Sequence, residues 1–396
     1  MVRFVSVACL ALCWPGEQAA AATPEWIYLS SRAGSLPPPN SGNQQTACLV
    51  LDIDKDGIQD FVIAERTQAP AVVWYKYQGA CRWARFVVER QVMRIEAGGD
   101  FLDIDGDGDL DIVLAGDYRS DGVWWWENPY PKYEPQTPWV RHLIKSGDGA
   151  RYQHDSRFGD FDGDGQPELV WWSQTARKLF LARIPPNPRQ AKSWPYEPIF
   201  SYSGNLGHEG LDVADINLDG KADIVGAGYW FEHRQGSRFV PHLVTNRPFT
   251  RTAVGQLVPG AWPEVVISPG DADGPVEWFA WNGHAWIAHQ LCPKVIHGHS
   301  LQLHDINADG HLDVFVAEMG KPGAGPDCKT RIFWGDSTGR FVEQVIAVGK
   351  ANHESRLGDL DGDGRLDIIG KPYSYEAPIL HIWLQAAAPP HSSARP

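Results

Sequence analysis

The chain has 396 residues, 43% of them hydrophobic, with 40 Gly, 30 Pro and a formal net charge of −14. This composition supports an ample core and excludes a disordered chain, and Gly without a period of three excludes collagen. The acidic balance, with no basic stripe, argues against a nucleic-acid partner.

Residues 1–22 read as a signal peptide: Arg3 precedes an apolar run over 4–14, and small residues at 19–22 suit cleavage. A secreted or periplasmic protein is expected. Cys9 lies in that segment, but Ser6-Val7-Ala8 is a poor lipoprotein match, so lipid anchoring is not expected. No other stretch approaches ~18 consecutive apolar residues, so no membrane span is predicted. Four cysteines follow. Nearness in sequence pairs Cys48 with Cys81 and Cys292 with Cys328; four buried thiols is the alternative.

From residue 23 to 385 one pattern recurs at intervals of about fifty residues. It begins with Asp52, Asp54, Asp56 and Asp60. It returns as Asp103, Asp105, Asp107 and Asp111, and then as Asp160, Asp162, Asp164 and Glu168. Asp215, Asn217, Asp219 and Asp223 form the fourth copy. The fifth, over 256–264, has lost its acidic residues except the last. Asp305, Asn307, Asp309 and Asp313 form the sixth, and Asp359, Asp361, Asp363 and Asp367 the seventh. In each unit a short apolar run leads into the acidic loop, and β-rich and Trp-rich runs follow. Helical periodicity is absent. Four short strands with turns between them make one propeller blade. The last unit supplies three strands, ending over 379–383, and the segment 25–29 matches the missing fourth. The prediction is an all-β, seven-bladed β-propeller of four-stranded blades, closed by its N-terminal strand, with residues 386–396 as a disordered tail.

Acidic residues at alternate positions, Gly at the sixth and an acid at the ninth place hard oxygen ligands in a tight turn, which suits calcium. Position twelve carries no Glu in any copy, so these are not EF-hand loops. The pattern resembles the FG-GAP (VCBS) repeat, a calcium-bearing propeller repeat. That resemblance implies up to six structural Ca²⁺ ions, in loops joining the first two strands of each blade on the lower face. Six such ions would bring the charge of −14 close to neutral.

In such a propeller, function is expected at the opposite, axial mouth. Six or seven residues before each acidic loop the chain leads into an innermost strand. There stand His154, His208 with Glu209, His299 with His297 two before it, and His353 with Glu354. Unit five offers Thr250 and Arg251, unit one Gln45 and Thr46, and unit two only Ala97 and Gly98. Four His at these positions exceed what 14 in 396 residues would place by chance. Loops between second and third strands should rim the same mouth. They carry Arg66, Tyr118, Arg119, Gln174, Arg177, Tyr229, Glu318, Lys371, Tyr373 and Tyr375. A second register, His142, His242 and His289, falls in the outermost strands and is expected to pack across strands.

A cup of His, Arg, Tyr and carboxylate suits a carbohydrate. Two mechanisms fit. In one, a neutral His among His154, His208, His299 and His353 abstracts a proton beside a carbonyl or carboxylate, a Tyr such as Tyr373 or a second His protonates the leaving oxygen, and Arg or Lys neutralises the enolate. In the other, a divalent metal at His297, His299 and His353 acidifies the proton or a water. The His ring is loosely similar to the propeller domain of aldos-2-ulose dehydratase and to propeller polysaccharide lyases, which implies a lyase or dehydratase. A glycoside hydrolase is the next reading. The alternative is a non-catalytic, lectin-like or adhesion propeller binding carbohydrate or protein. Oligomeric state is not readable from the sequence.

Overall fold

The computed structural model describes residues 23–387, apart from 205–206, 248, 321–324 and 375. The segment 1–22 expected to be a signal peptide, Tyr375 and the residues from 388 lie outside the described residues. Seven four-stranded antiparallel sheets form the blades of a β-propeller. Blade one runs through Gln45–Leu51, Asp60–Glu65, Val72–Tyr77 and Trp83–Glu89, innermost strand first. Blades two to six repeat this order. In blade seven the three strands Arg356–Gly358, Asp367–Gly370 and His381–Gln385 are completed by Trp26–Ser30. Ser30 pairs with His381 and Trp26 with Gln385. The ring is therefore closed by its own N-terminus, leaving blade seven no open edge inside the ring. Among the described residues the only helical turns are three short 3₁₀ segments, and no helix is long and apolar enough to cross a membrane.

Each second strand is buried on both faces, because a blade packs between two neighbours. That is why Asp60–Glu65, Asp111–Ala115 and Glu168–Ser173 read as near-continuous apolar runs flanked by polar ends. The core is divided accordingly. Phe61, Ile63 and Tyr75 of blade one pack against Ile369, Leu380 and Ile382 of blade seven. Ala47, Val62 and Trp74 pack on the other side against Ile112, Leu114 and Trp126. Seven such clusters lie one at each blade interface. Trp125, Trp126, Trp171 and Trp172 are fully buried within them. Hydrophobic burial thus joins blades to each other, and hydrogen bonding builds each blade.

The expected disulfides are not formed: Cys48, Cys81, Cys292 and Cys328 are free thiols. Cys48 lies on an innermost strand, whereas Cys81 lies in the hairpin between the two outer strands of the same blade. Cys292 belongs to blade five and Cys328 to blade six. The Arg331 guanidinium lies 3.3 Å from Cys292 Sγ. Nearness along the chain does not become nearness in space when the two positions stand on different strands of a blade or on neighbouring blades.

Candidate functional site

The lead-ins to the innermost strands converge on the axis, and one irregularity determines which side chains arrive. In blade three the pairing jumps from His154–Trp172 to Ser156–Trp171, leaving Asp155 as an extra residue with φ 51°. Such a bulge re-aims side chains at a strand end. Asp155 is 1% exposed and His154 3% exposed. Gly98 makes room for it: a Cβ there would lie 2.4 Å from the Asp155 Cα. Glu354, in blade seven, also has positive φ, at 52°.

Arg251 from blade five grips Asp155 with two hydrogen bonds of 2.9 and 2.7 Å and reaches Glu354 at 2.8 Å. Gly210 N–H adds a 2.8 Å bond to Asp155, and Arg356 lies 2.6 Å from Glu354. The imidazoles are held inside this frame. His154 Nδ1 is 2.8 Å from Asp155, and His299 Nδ1 is 3.3 Å from Glu354. Their Nε2 atoms lie 3.6 Å from Oε1 and from Oε2 of Glu209, respectively. Gln174 donates to Glu209 at 3.1 Å. The His299 ring is 4.3 Å from that of His353, which is 5.1 Å from Tyr373.

Charge in this cluster is sorted by neighbours. Burial disfavours the imidazolium of His154, but Glu209 and Asp155 overcome it and push the group up to about 10. Burial likewise opposes His299, and the neighbouring carboxylates of Glu209 and Glu354 raise it. Burial would raise Asp155 and Glu354, but Arg251 and its neighbours hold both well below the usual carboxylate range. His353 goes the other way. Burial, His299, Lys371 and Arg251 drive it well below an ordinary imidazole, so it is neutral. Lys371 is brought by burial down to about 7. Its Nζ contacts the carbonyls of His353, Thr46 and Gln45 at 2.6, 2.8 and 3.1 Å and lies 3.3 Å from His353 Nδ1.

Above the cluster, Tyr373 OH accepts a hydrogen bond from Arg66. Arg66 pairs with Glu96 at 2.9 Å and covers the rings of Tyr118 and Tyr373. Arg119 covers Tyr118 from another direction, and Tyr152 stands 6.3 Å from His154. Arg177 is exposed and lines a depression with Tyr152, Gln174 and Tyr202.

Several expected members lie elsewhere. His208 leaves the axis: it stacks on Tyr202 at 3.5 Å, with Trp172 at 5.3 Å and Tyr229 at 6.1 Å. A ring among apolar aromatics is packing, and this accounts for Tyr229 too. Glu318 is 3% exposed; it accepts from Lys329 N–H at 2.7 Å and pairs with Arg331 at 3.1 Å, bracing blade six. Lys371 is floor, not rim. The axial ligand atoms that come within 4.8 Å of one another are those of His154, Glu209 and His299, not the expected set of His297, His299 and His353, although the His353 ring is 4.3 Å from His299. Sequence reasoning missed Asp155, Glu96 and Tyr152. It also missed Asp271, whose charge acts on Tyr152, His299 and Tyr373. A signal existed for part of this: His154-Asp155, His208-Glu209 and His353-Glu354 are the same His–acid dipeptide in three blades.

The outer His register behaves as expected. His142, His242 and His289 lie flat on the cross-strand partners Trp125, Trp230 and Trp278, at 4.2, 4.4 and 4.0 Å.

On the other face, each acidic loop joins the first two strands of its blade. The first Asp accepts backbone N–H bonds from inside its turn, as Asp52 does from Asp56 and Gly57 and Asp160 from Gly165. The ninth residue accepts from the second: Asp60 from Ile53 at 3.1 Å, and Glu168 from Phe161 at 2.8 Å. Glu264 keeps this bond with Leu257 in the degenerate loop, so the turn survives without the ligand set. Four loops bring three carboxylates together: Asp52, Asp54 and Asp60; Asp103, Asp105 and Asp111; Asp160, Asp162 and Glu168; Asp359, Asp361 and Asp367. Asp54, Asp60, Asp162 and Asp361 each keep one buried oxygen without a hydrogen-bond partner. Burial pushes Asp60 and Asp111 up to about 8, and Glu168 and Asp367 up to about 7. Orphaned oxygens in an all-oxygen donor set fit a hard cation of calcium's kind.

Residues 103–171, 160–226 and 305–370 match the model of the FG-GAP-like repeat. The chain is a seven-bladed propeller that carries FG-GAP-like repeats. Among solved structures, this propeller is similar to BBS1N as crystallised with ARL6DN. That match has a TM-score of 0.56 and 10% identity, over 93% of this chain and 99% of that one. Rhamnogalacturonan lyase YesW matches with a TM-score of 0.47 and 16% identity, over 93% of this chain and 76% of that one. Bacillus licheniformis rhamnogalacturonan lyase PL11 matches at 0.48 and 15%, over 93% and 74%. No curated protein sequence matches the FG-GAP propeller. At these identities the likeness is one of fold.

Proposed function

We propose that this FG-GAP propeller is an exported, calcium-stapled enzyme that eliminates across a C–O bond of an acidic carbohydrate at its axial mouth. The observation that carries the reading is the buried imidazole of His353, packed between His299 and Tyr373, where burial and the charges of His299, Lys371 and Arg251 favour its neutral form. Nε2 of His353 takes the proton beside the substrate carboxylate. As it does so, the Nδ1 proton can pass to the amine of Lys371, which burial brings down to about 7 and which lies 3.3 Å away, so the imidazole ends the step neutral. A C=C bond forms as the C–O bond breaks, and the Tyr373 phenol gives its proton to the leaving oxygen. Glu209, Asp155 and Glu354 favour positive charge at His154 and His299, and that charge steadies the enolate. Tyr118 and Tyr152 offer aromatic faces to a sugar ring. Arg119 and Arg177 offer cations to its acid groups.

The acidic loops take the second part of the proposal. Six Ca²⁺ ions at the intact loops would close hairpins whose carboxylates otherwise repel. The test is incubation of purified protein with uronate-containing glycans, with and without calcium. Unsaturated product absorbing in the ultraviolet supports elimination, with loss of that product in His353→Ala and Tyr373→Phe. Binding without any new product would assign the mouth to a lectin-like role.

A further inference from the structure

His154 and His299 come from different blades, and both present Nε2 to the same carboxylate, Glu209. All three groups are buried: 3%, 2% and 0% exposed. One nitrogen from each His and one Glu209 oxygen lie within 4.8 Å of one another. His154 Nε2 lies 3.6 Å from Glu209 Oε1, and His299 Nε2 lies 3.6 Å from Glu209 Oε2. That is too long for a charge-assisted hydrogen bond, which closes to about 2.7–2.9 Å. It is close to the spacing of ligands around a tetrahedral ion, about 3.4 Å for bonds of about 2.0–2.1 Å. Glu209 Oε2 is buried and has no hydrogen-bond partner.

The far sides of both rings point to the same conclusion. His154 Nδ1 is bonded to Asp155 at 2.8 Å, and His299 Nδ1 lies 3.3 Å from Glu354. A carboxylate behind a ligating imidazole is the usual outer shell of a metal site, orienting the ring and raising its basicity. Those carboxylates are themselves fixed by Arg251, which spans both. With neutral imidazoles, Asp155, Glu209 and Glu354 outnumber the guanidiniums of Arg251 and Arg356 by one negative charge.

We propose that His154, Glu209 and His299 form a site for one divalent transition-metal ion of the zinc class, separate from the loop ions. Two imidazole nitrogens and one carboxylate suit such a borderline ion and not calcium, which takes oxygen alone. Three protein ligands leave a position open for an oxygen of a ligand. The inference deepens the elimination reading: with His154 and His299 as neutral ligands, such an ion would take the place of their imidazolium charge facing the enolate. It replaces the grouping at His297, His299 and His353.

The experiment is metal analysis of the full chain, purified without chelators, stripped, and titrated with Zn²⁺ and then Co²⁺ in millimolar calcium. One equivalent of Zn²⁺ per chain is expected, with visible Co²⁺ bands of low coordination number. Glu209→Gln and His299→Ala should lose that equivalent. Asp155→Asn should weaken it about 10–100-fold, and the rim variant His142→Ala should keep it. Where a ligand variant does not fold, the Co²⁺ spectrum of the wild-type protein decides alone. No stoichiometric binding by the folded wild-type protein, or binding that persists in folded Glu209→Gln and His299→Ala, overturns the proposal. A protein that binds one equivalent yet eliminates no glycan retains the site and loses the lyase reading.

Discussion

Two sets of three histidines can be compared within this propeller. At the rim, His142, His242 and His289 stand one strand away from Trp125, Trp230 and Trp278 and stack on them. At the axis, His154, His299 and His353 come from three blades and meet each other, with carboxylates behind the first two and the Lys371 amine behind His353. The rim rings repeat because a local strand pairing repeats. The axial rings differ in role because each meets different neighbours: His154 is pushed up to about 10, and His353 is driven well below its usual range. The same side chain is a packing unit where its surroundings are periodic and a chemical unit where they converge.

The largest expected effect separates the two sets directly. His353→Ala should lower turnover of an acidic glycan by roughly 10²–10⁴-fold, the usual weight of a general base, while His242→Ala leaves turnover unchanged. Equal losses in both would erase the distinction, and steady-state kinetics on the two variants measures it. The same kinetics should show activity rising as pH passes up through about 7, where Lys371 loses its proton. An activity that falls across that range would remove Lys371 from the mechanism.

Calcium removal comes next, because it acts on the whole ring. A loop held at a hundredfold its dissociation constant gains about 2.7 kcal/mol, so chelation with EGTA should lower the melting temperature strongly. The axial rings should then fail only as the ring opens. A melt unchanged by EGTA would falsify the calcium reading.

The closing seam should show a smaller, pH-dependent effect. His381 bonds Tyr28 across the N-terminal strand at 2.8 Å. Burial, with Lys350 and Arg32, lowers it from 6.5 to about 3. A depressed imidazole means that the unfolded chain takes up its proton first. The seam's contribution is therefore complete above about 6.5 and is lost as pH falls toward about 3. Replacing His381 with Gln should flatten part of the decline in melting temperature between pH 6.5 and 4; an identical slope would exclude the seam as its source.

The smallest effect belongs to the rim. His142→Ala should cost about 0.5–1.5 kcal/mol beyond the lost burial, as a stacked aromatic pair does. Urea melts against wild type would read this. A cost well above that range would mean that the rim His also carries its bond to Glu127, at 2.9 Å.

By itself the sequence determined the repeat, the blade count, the acidic turns, the closing strand and the outer His register. Each is written in spacing along one strand or hairpin, where local hydrogen bonding and burial repeat with the chain. Only the tertiary structure decided the site. A one-residue bulge brings Asp155 onto the axis beside His154, while His208, in the matching position of the next blade, turns away to stack on Tyr202. Glu96, Tyr152 and Asp271 join from positions with no repeat signature. The free cysteines follow the same rule. Contacts across the axis depend on how seven blades close around it, and spacing along the chain carries no record of that angle.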